Sequence, residues 1–211
     1  MIRDEKIGGF LDRLASGEPT PGGGAAGALQ AAQGAALLSM AANFTTGPEY
    51  AEHAERTARI LAAARDLIPT ALELADADEQ SFHTVADAYA LPDGTDEESQ
   101  ARTRTVQESL ARAAEPPRKL VELAGEILRL GQELAGFSNP NVLSDIGAAA
   151  EAARAAASSG RVTLEINIAD IKDQQALAAL EPAVAEAGRI INGCEELSAR
   201  IRRLINGRGG P

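Results

Sequence analysis

Pro19-Thr20-Pro21-Gly22-Gly23-Gly24 runs without interruption into residues 25–43, a stretch of small and apolar residues that carries no charge. Proline holds φ near its polyproline or helix-start value, and glycine takes backbone conformations closed to other residues. Few side chains therefore screen the backbone of this turn. A glycine tract that feeds a helix offers unpaired N–H groups and the positive end of the helix dipole, which together suit a carboxylate or phosphate. The competing reading is a close-packed corner between two helices. In the run that follows, Leu29, Ala32, Ala35, Ala36, Leu37, Leu38, Met40 and Ala41 cover almost the whole helical circumference. A helix that is apolar on every side lies at the centre of a bundle or in a subunit interface.

Composition supports a fold built around such a helix. Hydrophobic residues make up 45% of the 211, yet aromatics only 3% and Trp is absent, so alanine and leucine supply the apolar volume. Alanine-rich faces let helices approach closely and favour helix over sheet. The length suffices for a real core, and no linker divides it, so residues 1–211 read as one domain. A formal charge of −11 argues against sequence-independent affinity for nucleic-acid backbones and disfavours an anionic membrane surface. The lone Cys194 has no disulfide partner and reads as a small helix-face residue in a reducing compartment. The charged N-terminus lacks the apolar core of a signal peptide, and no run is long enough to span a bilayer. A soluble, cytoplasmic protein is expected.

Outward from the glycine turn, Ile2, Ile7, Phe10, Leu11 and Leu14 predict a short amphipathic helix that ends near Ser16-Gly17. Downstream, Thr46-Gly47-Pro48 closes the apolar helix and starts another over about 49–91, which Pro69 should kink. Leu91-Pro92-Asp93-Gly94 ends it, and Thr95 with Glu98 forms a capping box for the next. Pro116-Pro117 interrupts that helix, whose apolar face continues through Leu120, Leu123, Ile127, Leu128 and Leu134. After Gly136-Phe137-Ser138-Asn139-Pro140-Asn141 comes an almost pure alanine helix at 148–157. Residues 162–168 alternate as a strand would, but no second strand exists to pair with them, so helix or extended coil is favoured. A last helix is expected over about 174–205, with Pro182 early in it. The sum is an all-α, up-and-down bundle of about five to seven long, kinked helices.

Few residues offer chemistry. His53 and His83 stand thirty positions apart in no metal-ligand spacing, so no metal site is expected. Cys194 has no basic neighbour, and no Gly-x-Ser-x-Gly elbow occurs. Asp76, Glu79, His83 and Asp87 share a helix face, the usual pattern of a solvated stripe. Asp78 differs, because it lies on the side of Leu74 and Phe82, where burial would raise its pKa and suit it to general acid or base work. Ser144-Asp145 after the Asn-Pro-Asn turn reads equally well as an N-cap pair.

Taken in order, these stretches resemble the formiminotetrahydrofolate cyclodeaminase and methenyltetrahydrofolate cyclohydrolase family over nearly the whole chain. The likeness is carried by Phe10-Leu11 with Leu14-Ala15-Ser16, Thr20-Pro21-Gly22-Gly23-Gly24, Gly34-Ala35-Ala36-Leu37 with Ser39-Met40, and Leu74-Ala75-Asp76-Ala77-Asp78 with Phe82. It continues in Tyr89-Ala90-Leu91-Pro92, Asn139 with Ser144-Asp145, and Ile166-Asn167 with Ile171-Lys172-Asp173. The resemblance implies an all-helical homodimer that handles a tetrahydrofolate derivative as substrate, without metal. It implies Asp78 as the acid/base group, with Asp76 and Asp145 as further catalytic candidates. Thr20, Pro21, Gly22, Gly23, Gly24, Phe82, Asn139, Ser144 and Asn167 are then the implied ligand contacts.

The chain departs from the family pattern at three places: Ala25 stands where serine is common, Pro48-Glu49 where basic residues follow the glycine, and Thr163 where asparagine is usual. The expected function is interconversion of 5,10-methenyltetrahydrofolate with 10-formyltetrahydrofolate, or its formation from 5-formiminotetrahydrofolate with release of ammonia. The absence of a fused formiminotransferase domain favours a free-standing cyclohydrolase. The competing reading is a non-catalytic or re-specialised helical dimer that binds another small anion or a protein partner.

Overall fold

The computed structural model describes residues 1–207. Seven α-helices and three short 3-10 turns account for its regular structure, and no strand occurs among the described residues. In chain order the helices are α1 (Ile7–Leu14), α2 (Gly23–Asn43), α3 (Ala54–Tyr89), α4 (Asp96–Ala113), α5 (Glu115–Leu134), α6 (Leu143–Ala169) and α7 (Gln174–Asn206). The all-α expectation holds.

The central position expected for the uncharged helix is the observed one. Ala25, Ala28, Ala31, Ala35, Leu38, Ala41 and Ala42 of α2 are buried, in a core shared with α3, α5, α6 and α7. Small residues make this packing possible. A Cβ at Gly27 would lie 2.7 Å from Ser159 Cβ on α6 and 3.2 Å from Leu120 on α5. At Gly34 it would meet the Ala149 carbonyl oxygen at 3.3 Å. Gly27→Ala is therefore expected to push α2 off α6, at about 1–3 kcal/mol of overpacking against about 1 kcal/mol of gained helix propensity. A thermal melt should show a net loss.

A second apolar cluster joins the lower ends of the bundle, with Val106 and Leu110 of α4, Leu164 of α6, Ile171, and Leu180 of α7. Between this cluster and the N-terminus of α2 the helices leave a cleft.

Local signals act largely as the sequence predicts. Thr95 accepts from Glu98 N–H while the Glu98 side chain accepts from Thr95 N–H, completing the capping box. The break between α4 and α5 falls at Ala114, just ahead of Pro116-Pro117 in the first turn of α5, where proline's missing N–H costs nothing. Pro69 and Pro182 lie inside α3 and α7. Cys194 is buried in the core, and its desolvation pushes the thiol up to about 12, so it is inert.

Two details differ from expectation, and a third settles the helix-or-coil alternative at 162–168 as helix. The first amphipathic segment is split: Ile2–Asp4 forms a 3-10 turn, Glu5 and Lys6 are extended, and α1 starts at Ile7. The turn docks on α3, where Ile2 N–H donates to Asp76 at 2.8 Å. Of the α1 stripe only Phe10 is fully buried, while Ile7 is 80% and Leu11 53% exposed. The helix expected from residue 49 begins as a 3-10 turn, Pro48–His53, after Gly47 at φ 110°, a value natural to glycine. The alternating segment 162–168 is the last part of α6: Leu164 faces the second cluster, and Val162 and Ile166 are exposed.

Candidate active site

α2 starts at a residue that cannot cap it. Its N-cap is Gly22, extended at φ −123° and ψ −160°, and no side-chain oxygen there accepts a bond from the first turn. The missing acceptor arrives from α3: Asp78 Oδ2 takes the Ala25 N–H at 3.0 Å. The anion at this helix end is thus part of the protein, which the turn alone did not disclose. Gly24 makes the contact possible. A Cβ there would stand 2.7 Å from Asp78 Oδ2 and closer still to Oδ1 and the carboxyl carbon. The amides of Gly23 and Gly24 find no acceptor among the described residues.

Burial raises the Asp78 pKa above its usual 3.8, the Ala25 hydrogen bond opposes that shift, and the neighbouring charge of Glu79 adds to it. Glu79 is itself tied to α1 by Arg13. The result is a half-buried carboxyl that keeps its proton to higher pH than a free aspartate does.

Asp78 opens on a cleft of about 350 Å³, within the range of small-molecule sites. The turn contributes Pro19, Thr20, Gly22, Gly23 and Gly24; α3 contributes Asp78, Ser81, Phe82, Val85 and Tyr89. Leu110 and Ala113 come from the end of α4, and Thr163, Ile166, Asn167 and Asp170 from the end of α6. Phe82, Tyr89 and Ile166 are 47%, 45% and 68% exposed, a half-open set of apolar surfaces suited to a flat ligand. Thr20 Oγ1 lies 3.2 Å from His83 Nε2, and Asn167 Nδ2 donates to the Ala113 carbonyl at 2.9 Å.

Of the residues singled out from sequence, Asp78, Thr20, Gly22, Gly23, Gly24, Phe82 and Asn167 meet in this cleft. Pro21 is buried under the turn, behind a cis Thr20–Pro21 bond. Asp76 points away, engaged by Ile2 N–H. Asn139, Ser144 and Asp145 lie at the far end of α2, roughly 30 Å along a helix of 21 residues. There Asn139 is a staple: its N–H donates to Thr45 Oγ1 (3.1 Å), its Nδ2 to the Phe44 carbonyl (2.9 Å), and its Oδ1 accepts from Asn141 N–H (3.0 Å). Ser144 and Asp145 do not cap α6, whose N-cap is Val142 without a side-chain bond.

Sequence reading missed Ser81, Val85 and Tyr89, although their spacing from Asp78 follows one helix face. It also missed Asp170, for which no local signal exists. Thr163, noted as a departure from the family pattern, proves to be a cleft residue. No group of His, Cys, Asp or Glu among the described residues is arranged to hold a metal.

The fold and cleft define a class: a helical bundle with a candidate small-molecule cleft, in which one carboxyl sits on a helix N-terminus beside Phe82 and Tyr89. The sequence model of the family described as Formiminotransferase-cyclodeaminase matches residues 6–186, and the chain belongs to that family. It is 37% identical to a methenyltetrahydrofolate cyclohydrolase of Methylorubrum extorquens, with 90% of this chain and 94% of that one aligned. It is 34% identical to the formimidoyltransferase-cyclodeaminase of Mus musculus over 82% of this chain, which spans 32% of that longer protein. A crystal structure of formiminotetrahydrofolate cyclodeaminase from Thermotoga maritima superposes with a TM-score of 0.84 at 27% identity, covering 98% of each chain.

Proposed function

We propose that the protein is a folate-dependent one-carbon enzyme that makes or opens 5,10-methenyltetrahydrofolate, with Asp78 as its acid/base group. The observation that carries this is the raised-pKa carboxyl of Asp78, fixed on the Ala25 amide in a cleft of pterin size. Relatives named for these two chemistries favour an enzyme over a re-specialised binding dimer. In the cyclohydrolase direction, Asp78 takes a proton from water as its oxygen bonds to the methenyl carbon. It returns the proton to N5 as the carbon–N5 bond breaks, while the added hydroxyl gives up its own proton to solvent and becomes the carbonyl of the formyl group left on N10. The free amides of Gly23 and Gly24 are donors for the oxygen that has been added. In the cyclodeaminase direction the same group takes the N10 proton as N10 attacks the formimino carbon, and gives it to the departing amine. Full-length likeness to a cyclohydrolase puts the hydrolytic reaction first. Loss of 5,10-methenyltetrahydrofolate absorbance with purified protein tests it, followed by the same measurement starting from 5-formiminotetrahydrofolate. Absence of turnover and of folate binding at millimolar ligand would sink the enzyme reading.

The chain acts as a single domain and as a homodimer, joined through α1 and the outer face of α2. That face offers an apolar groove of about 530 Å³ bordered by Ile7, Phe10, Leu11, Leu29 and Ala36. It continues into Met40 and Phe44, 45% and 54% exposed. α2 carries no charged residue, so two copies of a chain of net charge −11 meet there without direct repulsion. Sedimentation should give a dimer for the wild type and a monomer for Leu11→Glu; a wild-type monomer at micromolar concentration rules this out. Cytoplasmic location belongs to the same reading.

A further inference from the structure

Asp170 lies in the cleft and has no part in the proton transfers above. It is the C-cap of α6, at φ −102° and ψ 1°, where the negative end of the helix dipole disfavours a carboxylate. Its side chain accepts no hydrogen bond and pairs with no cation among the described residues. Its main chain is held in place instead. Gln107 Nε2 donates to the Asp170 carbonyl at 3.0 Å, and Gln107 Oε1 accepts from Lys172 N–H at 2.7 Å. The fold thus fixes an unpartnered carboxylate at an unfavourable helix end and faces it into a ligand cavity. The side chain is exposed at the rim of the cleft, so its oxygens are open to the donors of a ligand.

The same wall carries a second acceptor. One turn back, Asn167 spends its Nδ2 on the Ala113 carbonyl, which leaves Oδ1 as its free acceptor. Positions 167 and 170 are neighbours on one helix face, about 4.5 Å apart along the axis. The α6 side of the cleft is therefore an acceptor edge, while the α2 side offers the amides of Gly23 and Gly24.

A reduced pterin carries a matching row of donors: N3–H and the 2-amino group side by side, with N8–H further along the same edge. We propose that Asp170 is the carboxylate that takes the N3–H and 2-amino donors of the pterin, with Asn167 Oδ1 beside it. Paired N–H···O bonds to a carboxylate fix orientation as well as affinity, and here they turn the one-carbon bridge toward Asp78. This assignment rests on the folate reading above and adds which edge of the ligand the protein recognises.

The experiment uses 5,10-methenyltetrahydrofolate and its 2-desamino analogue, each turned over by the wild type and by Asp170→Ala. The wild type should prefer the amino ligand by about tenfold or more in kcat/KM, as expected when a carboxylate loses its donor pair. Asp170→Ala should lose that preference, chiefly through a raised KM on the natural ligand with kcat changed less. Asp170→Asn, which keeps one acceptor oxygen, should fall between the two. A preference that survives undiminished in Asp170→Ala, or a wild type that does not distinguish the ligands, overturns the proposal. A wild type that neither binds nor converts either folate fails at the earlier step and removes the folate reading itself. The melting temperature of Asp170→Ala should equal or exceed that of the wild type, since a negative charge leaves the C-terminus of a helix. An early melt would assign Asp170 to fold maintenance and overturn the ligand role.

Discussion

Gly24→Ala is expected to cut turnover at least a hundredfold while the protein stays folded. The new methyl would stand 2.7 Å from Asp78 Oδ2 and nearer still to Oδ1, so the carboxyl must leave the Ala25 amide. A positioned acid/base group is worth about 10²–10⁴ in rate, and a displaced one forfeits most of that. Stability should change little, because two effects oppose each other. Losing the acceptor at the start of α2 costs about 1 kcal/mol, and alanine in place of glycine inside the helix returns about as much. Initial rates set beside a thermal melt check both halves. Gly23→Ala is the companion measurement: its methyl meets no atom within 4 Å, so the loss of rate should be far smaller. Equal losses at the two positions would show that contact with Asp78 is not what Gly24 protects.

Asp78→Asn should lower kcat by about 10²–10⁴ with no loss of stability at neutral pH. The amide keeps the shape and still accepts from Ala25 N–H, but it exchanges no proton. The stability half follows from linkage. Burial raises the Asp78 pKa above 3.8, so across the interval from 3.8 to that raised value the folded state binds the proton and the unfolded state does not. Wild-type stability therefore gains as pH falls through that interval, and at neutral pH the ionised, desolvated group is a cost that asparagine avoids. Melting temperatures of the variant should match or exceed the wild type at pH 7, and the difference should shrink on acidification. The wild-type rate should likewise show an acid limb above pH 3.8, absent from the residual activity of the variant. Undiminished turnover in Asp78→Asn would remove the residue from its assigned role.

Much of this architecture was legible in the chain because its determinants are local. The capping box at Thr95 and Glu98, the stop before Pro116-Pro117 and the charge-free α2 each follow from residues within a turn or two of one another. Asp78 stood out for the same reason, since Leu74 and Phe82 share its helix face. Local reading failed where two segments meet. Asp76 and Asp78 are two positions apart and look alike in sequence, yet one holds the Ile2 amide and the other the Ala25 amide. Asn139, a ligand contact implied by the family resemblance, lies away from the Asp78 cleft and ties Phe44, Thr45 and the turn before α6 together.

By itself the sequence determined an all-helical bundle centred on residues 25–43, and pointed to the carboxyl on α3, because helix periodicity, capping and glycine content are written within single turns of chain. Only the tertiary structure decided what the glycine turn is for. It sets Asp78, fifty-three positions away, against the amide of Ala25, gathers the ends of α3, α4 and α6 around it, and sends Asn139 and Asp145 to the opposite end of α2. The physical reason is that a helix end leaves its first amides unpaired without specifying what pairs with them; the partner is chosen by the packing of helices whose close approach depends on Gly24, Gly27 and Gly34.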